Sequence, residues 1–321
     1  MVRYKEGDYL ILKQIGLTNM INDQHSILLE SGTNELEIIE FELDKRKFGI
    51  NVIKVKEIIL PTAVIPVPHS HPHVEGLIQL RGEVLPLINL SRVLGKIGEP
   101  PPEAKYIVAE FNQQKVVFHV HNVTQIHRIS WNDIEKPTSL YQGGDQSSII
   151  GVIKRTEDMI LLLDFESILL EINPQTGIRV EEVKKLGHRE RSDKQIVAAE
   201  DSPLLRKLLH DTLSEGGYGQ VEFFENGADA LAYLESLADQ GGNVTDQVQL
   251  VITDIEMPQM DGHHLTRRIK SDQRLKGLPV IIFSSLITND LKHKGHMVGA
   301  EDQISKPEIS ELIKTIDKHI L

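Results

Sequence analysis

The chain has 321 residues, 40% hydrophobic and 26% charged, with a formal net charge of -12. At about 150 residues per domain this predicts two domains, each able to bury a core, and the acidic balance speaks against a dominant nucleic-acid surface. Cysteine is absent, which removes disulfides, thiolate metal sites and cysteine nucleophiles. The apolar run from Tyr9 to Leu12 is too short for a signal-peptide core, and no run approaches the ~20 residues of a membrane span, so a cytoplasmic protein is expected.

Residues 1–33 read as an N-terminal extension, in which Ile27, Leu28 and Leu29 fit the end of a short helix before Gly32. From Asn34 to Asn173, short β-branched runs such as "LEIIEFEL", "FGINVIKV", "YIVAEF" and "KVVFHVHNV" alternate with Gly, Pro and Asn. That spacing predicts a small, mostly β barrel or sandwich. Arg81, in "QLRGEVLP", falls at a strand followed by a tight turn. Its guanidinium suits either a planar contact with a partner or an internal brace. His69, His71 and His73 in "HSHPH" alternate as side chains on one side of an extended chain do, and so do His119 and His121. Pro72 disrupts the strand and no acidic partner is adjacent, so specific Zn²⁺ uptake is not expected. Residues 174–194, "PQTGIRVEEVKKLGHRERSDK", are polar and charged with one short amphipathic patch around Val180 and Val183, and read as a linker.

Residues 195–321 read differently. The runs "QIVAAED", "LVITD", "PVIIFSS" and "EDQISKP" each end in reactive side chains, with helical patterns between them. Ser202-Pro203 predicts a helix start, Leu204, Leu205, Leu208, Leu209 and Leu213 its apolar face, and Gly216-Gly217 its stop. Pro307 opens the last helix, with Ile309, Leu312, Ile313, Ile316 and Ile320 at helical spacing. Strands alternating with helices predict an α/β doubly wound parallel sheet, in which functional groups gather outside the carboxyl ends of the strands. Glu200, Asp201, Asp254, Ser284, Ser285 and Lys306 then share one crevice. Crowded carboxylates repel unless a cation joins them, and an oxygen-only environment suits Mg²⁺. A lysine and a hydroxyl suit phosphoryl oxygens, which makes Asp254 the natural phosphoryl acceptor.

This ordered set, with "MP" and "DG" after Asp254 and "KP" at Lys306-Pro307, resembles the response-regulator receiver domain from about Lys194 to Leu321. The resemblance implies a flavodoxin-like fold and phosphorylation of Asp254 by a histidine kinase. It also implies Mg²⁺ held by Glu200, Asp201, Asp254 and the backbone carbonyl of Glu256, with Ser284 and Lys306 responding to the phosphate. Gln303 stands where many receivers carry an aromatic switch residue, so the signal is expected to travel through helix displacement and the charged linker.

Upstream, "FGINVIKVKEII", "VPHSHPHVEGLIQLRGEVLPLINL" and "ILLLDFESIL" resemble the CheW family of chemotaxis adaptor domains, over about Asn34 to Ile172. That implies two small five-stranded β-barrel subdomains side by side, joining methyl-accepting chemoreceptor tips to the histidine kinase CheA. In the resemblance Arg81 matches a residue important for kinase coupling, and Val52, Val55 and Glu57 match the partner-facing surface. Ordinary strand burial of the valines and a solvated Glu57 is the alternative. No DNA-binding helix pair follows the receiver, so the output is expected upstream. The adaptor half has no nucleophile elbow, Gly-rich phosphate loop or paired acids, so no enzyme is expected there. The expected function is a cytoplasmic chemotaxis adaptor at membrane-associated receptor arrays, regulated by Mg²⁺-dependent phosphorylation of Asp254. The alternative is a phosphate sink for CheA docked by the adaptor domain.

Overall fold

The computed structural model describes residues 34–321 apart from 96–97, 99, 113, 137–147, 157, 179–180 and 288. The expected N-terminal extension, with Ile27 to Leu29, lies outside the described residues, as does Val180. In the first half the period-two runs become strands of two sheets. One sheet uses β1 (Glu35–Leu43), β2 (Arg46–Asn51), β8 (Asn122–Ser130), β9 (Ile134–Glu135), β10 (Ile149–Lys154) and β11 (Met159–Leu163), in the order β8-β1-β2-β11-β10-β9. The other uses β3 (Val55–Ile59), β4 (Val74–Leu80), β5 (Glu83–Asn89), β6 (Lys105–Phe111) and β7 (Gln114–Val120), in the order β3-β6-β7-β5-β4. The first sheet has a sixth strand where five were expected. That strand, β9, is two residues long and, among the described residues, pairs only with β10.

Each sheet buries its own interior. Leu36 and Ile38 meet Trp131, Ile153, Ile160 and Leu162 in one cluster, while Ile78, Leu87, Tyr106 and Val117 form the other. A third core joins the sheets through Phe41, Phe48, Phe111 and Phe118. The short helix α1 (Leu90–Val93) follows β5, and α2 (Phe165–Ile172) follows β11. Phe165 places its ring 5.8 Å from that of Phe111 and 4.9 Å from that of Phe118, which fixes α2 across the junction. Two caps then decide which charged side chains leave this junction. Asp164 accepts from the Ser167 amide at 3.0 Å to start α2. Asn51 accepts from the Ile53 amide at 3.0 Å and bends the chain through a 3-10 turn, Val52–Lys54, between β2 and β3.

The stretch read as a linker is partly packed. It contains the short helix α3 (Glu181–Lys184), and Ile178 and Val183 are buried in a core of the second half. There, β12 (Ile196–Ala199), β13 (Val221–Phe224), β14 (Leu250–Thr253), β15 (Val280–Ser284) and β16 (Asp302–Ser305) form a wholly parallel sheet in the order β13-β12-β14-β15-β16. The helices are α4 (Pro203–Glu215), α5 (Gly227–Asp239), α6 (Val244–Gln247), α7 (Gly262–Ser271), α8 (Asn289–Val298) and α9 (Ile309–Ile320). Alternate strand residues feed opposite cores: Ile196, Ala198, Leu250 and Ile252 meet α4 and α9, whereas Val197, Ala199 and Val251 meet α5 and α7. The α4 cap forms as expected, with Ser202 Oγ accepting from the Leu205 amide at 3.4 Å, and Gly217 ends the helix at φ 92°. Leu204, expected on the apolar face, is instead exposed, whereas Leu205, Leu209 and Leu213 are buried and Leu208 packs at the edge of the same core. Among the described residues no helix is long and apolar enough to cross a membrane.

Candidate functional site

The carboxyl ends of β12, β14, β15 and β16 deliver the predicted residues to one cleft. Asp254 directly follows β14, with Oδ1 accepting from the Ile255 amide at 2.7 Å and Oδ2 from Lys306 Nζ at 3.1 Å. Lys306 also meets Glu200 Oε2 at 3.0 Å. One carboxylate oxygen from each of Glu200, Asp201 and Asp254 lies within 4.8 Å of the others. The "DG" after Asp254 has a mechanical reason. Asp261 caps α7 by accepting from the His264 amide at 2.8 Å, and a Cβ at Gly262 would stand 1.9 Å from the Asp254 carbonyl oxygen. The chain can therefore turn tightly behind Asp254 only with glycine there.

The adaptor half closes over this cleft. Lys54 Nζ reaches Ser285 Oγ at 2.7 Å, Glu256 Oε2 at 2.8 Å and Glu166 Oε1 at 3.3 Å. Glu166 accepts from Lys306 at 3.2 Å through its other oxygen, and Ser285 Oγ donates to it. Asn51 Nδ2 donates to Glu256 Oε1 at 2.6 Å. The contact extends sideways. Asn34 Nδ2 donates to the Gln259 carbonyl at 2.9 Å, the Gln259 amide donates to the Trp131 carbonyl at 2.9 Å, and the Ser167 and Ser202 hydroxyls lie 3.1 Å apart.

Six carboxylates (Asp164, Glu166, Glu200, Asp201, Asp254 and Glu256) line the cleft with two ammonium groups (Lys54 and Lys306), an excess of four negative charges if all ionise. Burial pushes the Glu200 carboxyl up to about 8. The Lys306 ammonium pulls against that rise, and the charges of Asp254 and Glu166 add to it. Asp201 is raised well above the carboxylate range by burial, then by Glu200 and Asp254. Burial also works against Glu166, but Lys306 and Lys54 outweigh it and bring that carboxyl down to about 2. Burial disfavours charge on Lys306, yet Asp254, Glu166 and Glu200 hold it well above the ordinary lysine value. The cleft therefore has room for one more cation. Asp201 Oδ2 is buried without a hydrogen-bond partner among the described residues, and the donor set is oxygen only, which fits Mg²⁺.

Of the predicted site residues, Glu200, Asp201, Asp254 and Lys306 come together. Glu256 turns its side chain to Asn51 and Lys54, which bears on the interface and not on its backbone carbonyl. Ser284 is fully buried, with Oγ accepting from the Leu286 amide at 3.2 Å, and it is the Ser285 hydroxyl that meets the adaptor half. Gln303 donates from Nε2 to the Lys292 carbonyl at 2.7 Å, tying β16 to α8. On the adaptor, Val52 is buried and Val55 half-buried, while Arg81 donates to Glu57 Oε2 at 2.8 Å from an exposed hairpin turn. Arg81 and Gly82 take φ values of 50° and 90°, as a two-residue hairpin requires.

Sequence reasoning missed Lys54, Asn51 and Glu166, the adaptor residues at the cleft. Lys54, a lone lysine inside the apolar "VIKV", was the available signal. One premise about the histidines is also corrected: Glu171 does approach His71 and His73. His71 Nδ1 accepts from the His73 amide at 3.3 Å, and burial, then the neighbouring His71, lowers the His73 imidazole. His119 is bonded to Glu75 and His121 to Ser91 and the Asp44 amide, so these two do not form a pair.

Comparison with known proteins agrees with this division. The CheW-like domain family matches residues 37–173, and the response regulator receiver domain family matches residues 196–317. The protein is thus of the class in which a CheW-like coupling domain carries a receiver. Chemotaxis protein CheV3 of Helicobacter pylori (strain ATCC 700392 / 26695) is 32% identical over 302 residues, covering 89% of this chain and 94% of that protein. Chemotaxis protein CheW of Thermotoga maritima is 30% identical over 150 residues, covering 47% of this chain and 98% of that protein. A solved scaffolding protein, TtCheW from Thermoanaerobacter tengcongensis, aligns over 40% of this chain and 88% of its own at 26% identity, with a TM-score of 0.37. The chain belongs to the CheV family of chemotaxis proteins.

Proposed function

We propose that this protein couples methyl-accepting chemoreceptors to the histidine kinase CheA at receptor arrays, and that Mg²⁺-dependent phosphorylation of Asp254 regulates the coupling. The observation that carries this reading is the Asp254 carboxylate held by Lys306 beside the acidic pair Glu200 and Asp201, with the adaptor half in contact with the same cleft. In the proposed step an Asp254 carboxylate oxygen attacks the phosphorus of a phosphohistidine. A P–O bond forms, the P–N bond breaks, and the imidazole leaves with a proton from solvent. Lys306 sits where it can neutralise the phosphoryl oxygens. Glu200, Asp201, Asp254 and the Glu256 carbonyl would hold Mg²⁺, which when bound offsets charge on the transferring group. Ser284 is assigned to the same response through its place at the end of β15. The partner surface is assigned to Val52, Val55, Glu57 and Arg81, and this half acts as a scaffold and not as an enzyme.

The phosphate-sink alternative uses the same chemistry but gives the adaptor contact no task. The contact of Lys54 and Glu166 with the cleft favours regulation. The direct test is transfer of label from phosphorylated CheA in Mg²⁺. Wild type is expected to be labelled and Asp254→Asn to lose labelling, because an amide is a far poorer nucleophile than a carboxylate. Persistent labelling of the Asn variant would remove Asp254 from this role.

A further inference from the structure

The receiver cleft already contains an anion that does not belong to the receiver. Glu166 comes from the first turn of α2, is 14% exposed at its side chain, and accepts hydrogen bonds from Lys306 and Ser285. Lys306 is at the same time 3.1 Å from Asp254 Oδ2, so the Glu166 and Asp254 carboxylates share one ammonium. A phosphoryl group on Asp254 would lie beside that ammonium. It carries about -1.5 to -2 charges and three strong acceptor oxygens, and it would compete with Glu166 for Lys306 while repelling it. Two anions contend for one seat.

We propose that Glu166 is a built-in occupant of the phosphoryl seat, and that with Lys54 it forms a latch between the two halves that phosphorylation opens. This rests on the reading that Asp254 is the phosphoryl acceptor. Lys54 supplies the second arm. Its side chain is 3% exposed and its ammonium bridges Ser285, Glu256 and Glu166, which holds α2 and the Val52–Lys54 turn against the receiver together. Asp254 is 4% exposed beneath this cover, so a phosphodonor reaches it only when the latch is open. The latch therefore lowers the share of chains open to a phosphodonor, and a phosphoryl group that disfavours the closed form in turn shifts the same equilibrium toward open.

The consequence for the adaptor follows from what α2 is attached to. Phe165, the neighbour of Glu166, packs on Phe111 and Phe118 in the core joining the two adaptor sheets. Release of the first turn of α2 removes a constraint on that junction. Lys54 likewise leads directly into β3, which carries Val55 and Glu57. The route from phosphate to adaptor surface thus runs across the cleft, over a shorter path than the segment 174–194, which docks Ile178 and Val183 into the receiver core.

The test uses the full chain, Mg²⁺ and acetyl phosphate as a small phosphodonor, with labelling rates measured for wild type, Glu166→Ala and Glu166→Gln. A coupling of ordinary size predicts labelling about 10-fold faster for Glu166→Ala and a smaller gain for Glu166→Gln. In wild type, labelling should also speed amide hydrogen exchange at residues 51–54 and at the first turn of α2, a readout that needs no variant. Equal labelling rates in folded wild-type and variant chains, with unchanged exchange at both segments, would overturn the latch and leave the acceptor assignment standing. Label that persists in Asp254→Asn would overturn the acceptor assignment and the latch with it.

Discussion

At the β4–β5 hairpin, Arg81 and Glu57 meet at 2.8 Å with side chains 57% and 24% exposed, whereas in the receiver cleft Lys306 and Asp254 meet at 3.1 Å with side chains 2% and 4% exposed. Similar lengths conceal opposite energetics. Around the hairpin water screens each charge, so the pair contributes about 0 to 1 kcal/mol and either member can turn to a partner at little cost. In the cleft each charge has given up its hydration, and removing the ammonium of such a buried set typically costs about 3 to 5 kcal/mol because the surrounding carboxylates are left uncompensated. The exposed pair suits recognition by another molecule. The buried set suits chemistry whose effect is to change the local charge.

The larger expected effect concerns the surplus acid in the cleft. Burial pushes the Glu200 carboxyl up to about 8 in the folded chain, against an ordinary value of 4.5. A carboxyl raised on folding is protonated in the native state while the unfolded chain has already released its proton, so stability falls as pH rises between about 4.5 and 8 and then levels off. Glu200→Gln resembles the protonated acid and escapes this cost. Without Mg²⁺ its thermal midpoint should exceed that of wild type by a margin that opens between pH 5 and pH 8, and melts across that range check it. A margin independent of pH would mean that Glu200 is not the strained acid. Mg²⁺ should narrow the margin at pH 8, because it stabilises ionised Glu200 in wild type.

The smaller expected effect concerns the hairpin. A double-mutant cycle of Arg81→Ala and Glu57→Ala should return a coupling no larger than about 1 kcal/mol in thermal or denaturant unfolding. Arg81→Ala should weaken binding to the kinase much more than it weakens the fold. A stability loss of about 3 kcal/mol with unchanged kinase binding would instead make Arg81 an internal brace, and the contrast between the two ion pairs would collapse.

Much of the receiver cleft was legible in the sequence because each of its residues ends an apolar run, and a parallel sheet carries all such ends to one edge. Asp254 after "LVIT", Lys306 after "QIS" and the helix start at Ser202-Pro203 each carried their own local signal. The adaptor's part in the cleft was not legible. Lys54 and Ser285 are 231 positions apart, and Glu166 and Lys306 are 140 apart, so no local pattern relates them. Glu166 reads locally as a first-turn acid at a helix N-terminus, which is a sufficient reason for a glutamate there. The segment 174–194 reads as a linker because its apolar residues are few, but Ile178 and Val183 are each buried against the receiver. Leu204 failed in the other direction: its spacing fits the apolar face of α4, yet the core takes up Leu205, Leu208, Leu209 and Leu213 and leaves Leu204 exposed.

The central claim, that phosphorylation of Asp254 regulates a coupling the adaptor half already provides, is tested most directly by receptor-stimulated CheA activity. It should be reconstituted with wild type or Asp254→Asn, with and without a small phosphodonor that bypasses the kinase. The account predicts that both proteins support coupling and that only wild type shows a donor-dependent change. Identical donor responses in the two proteins would contradict it.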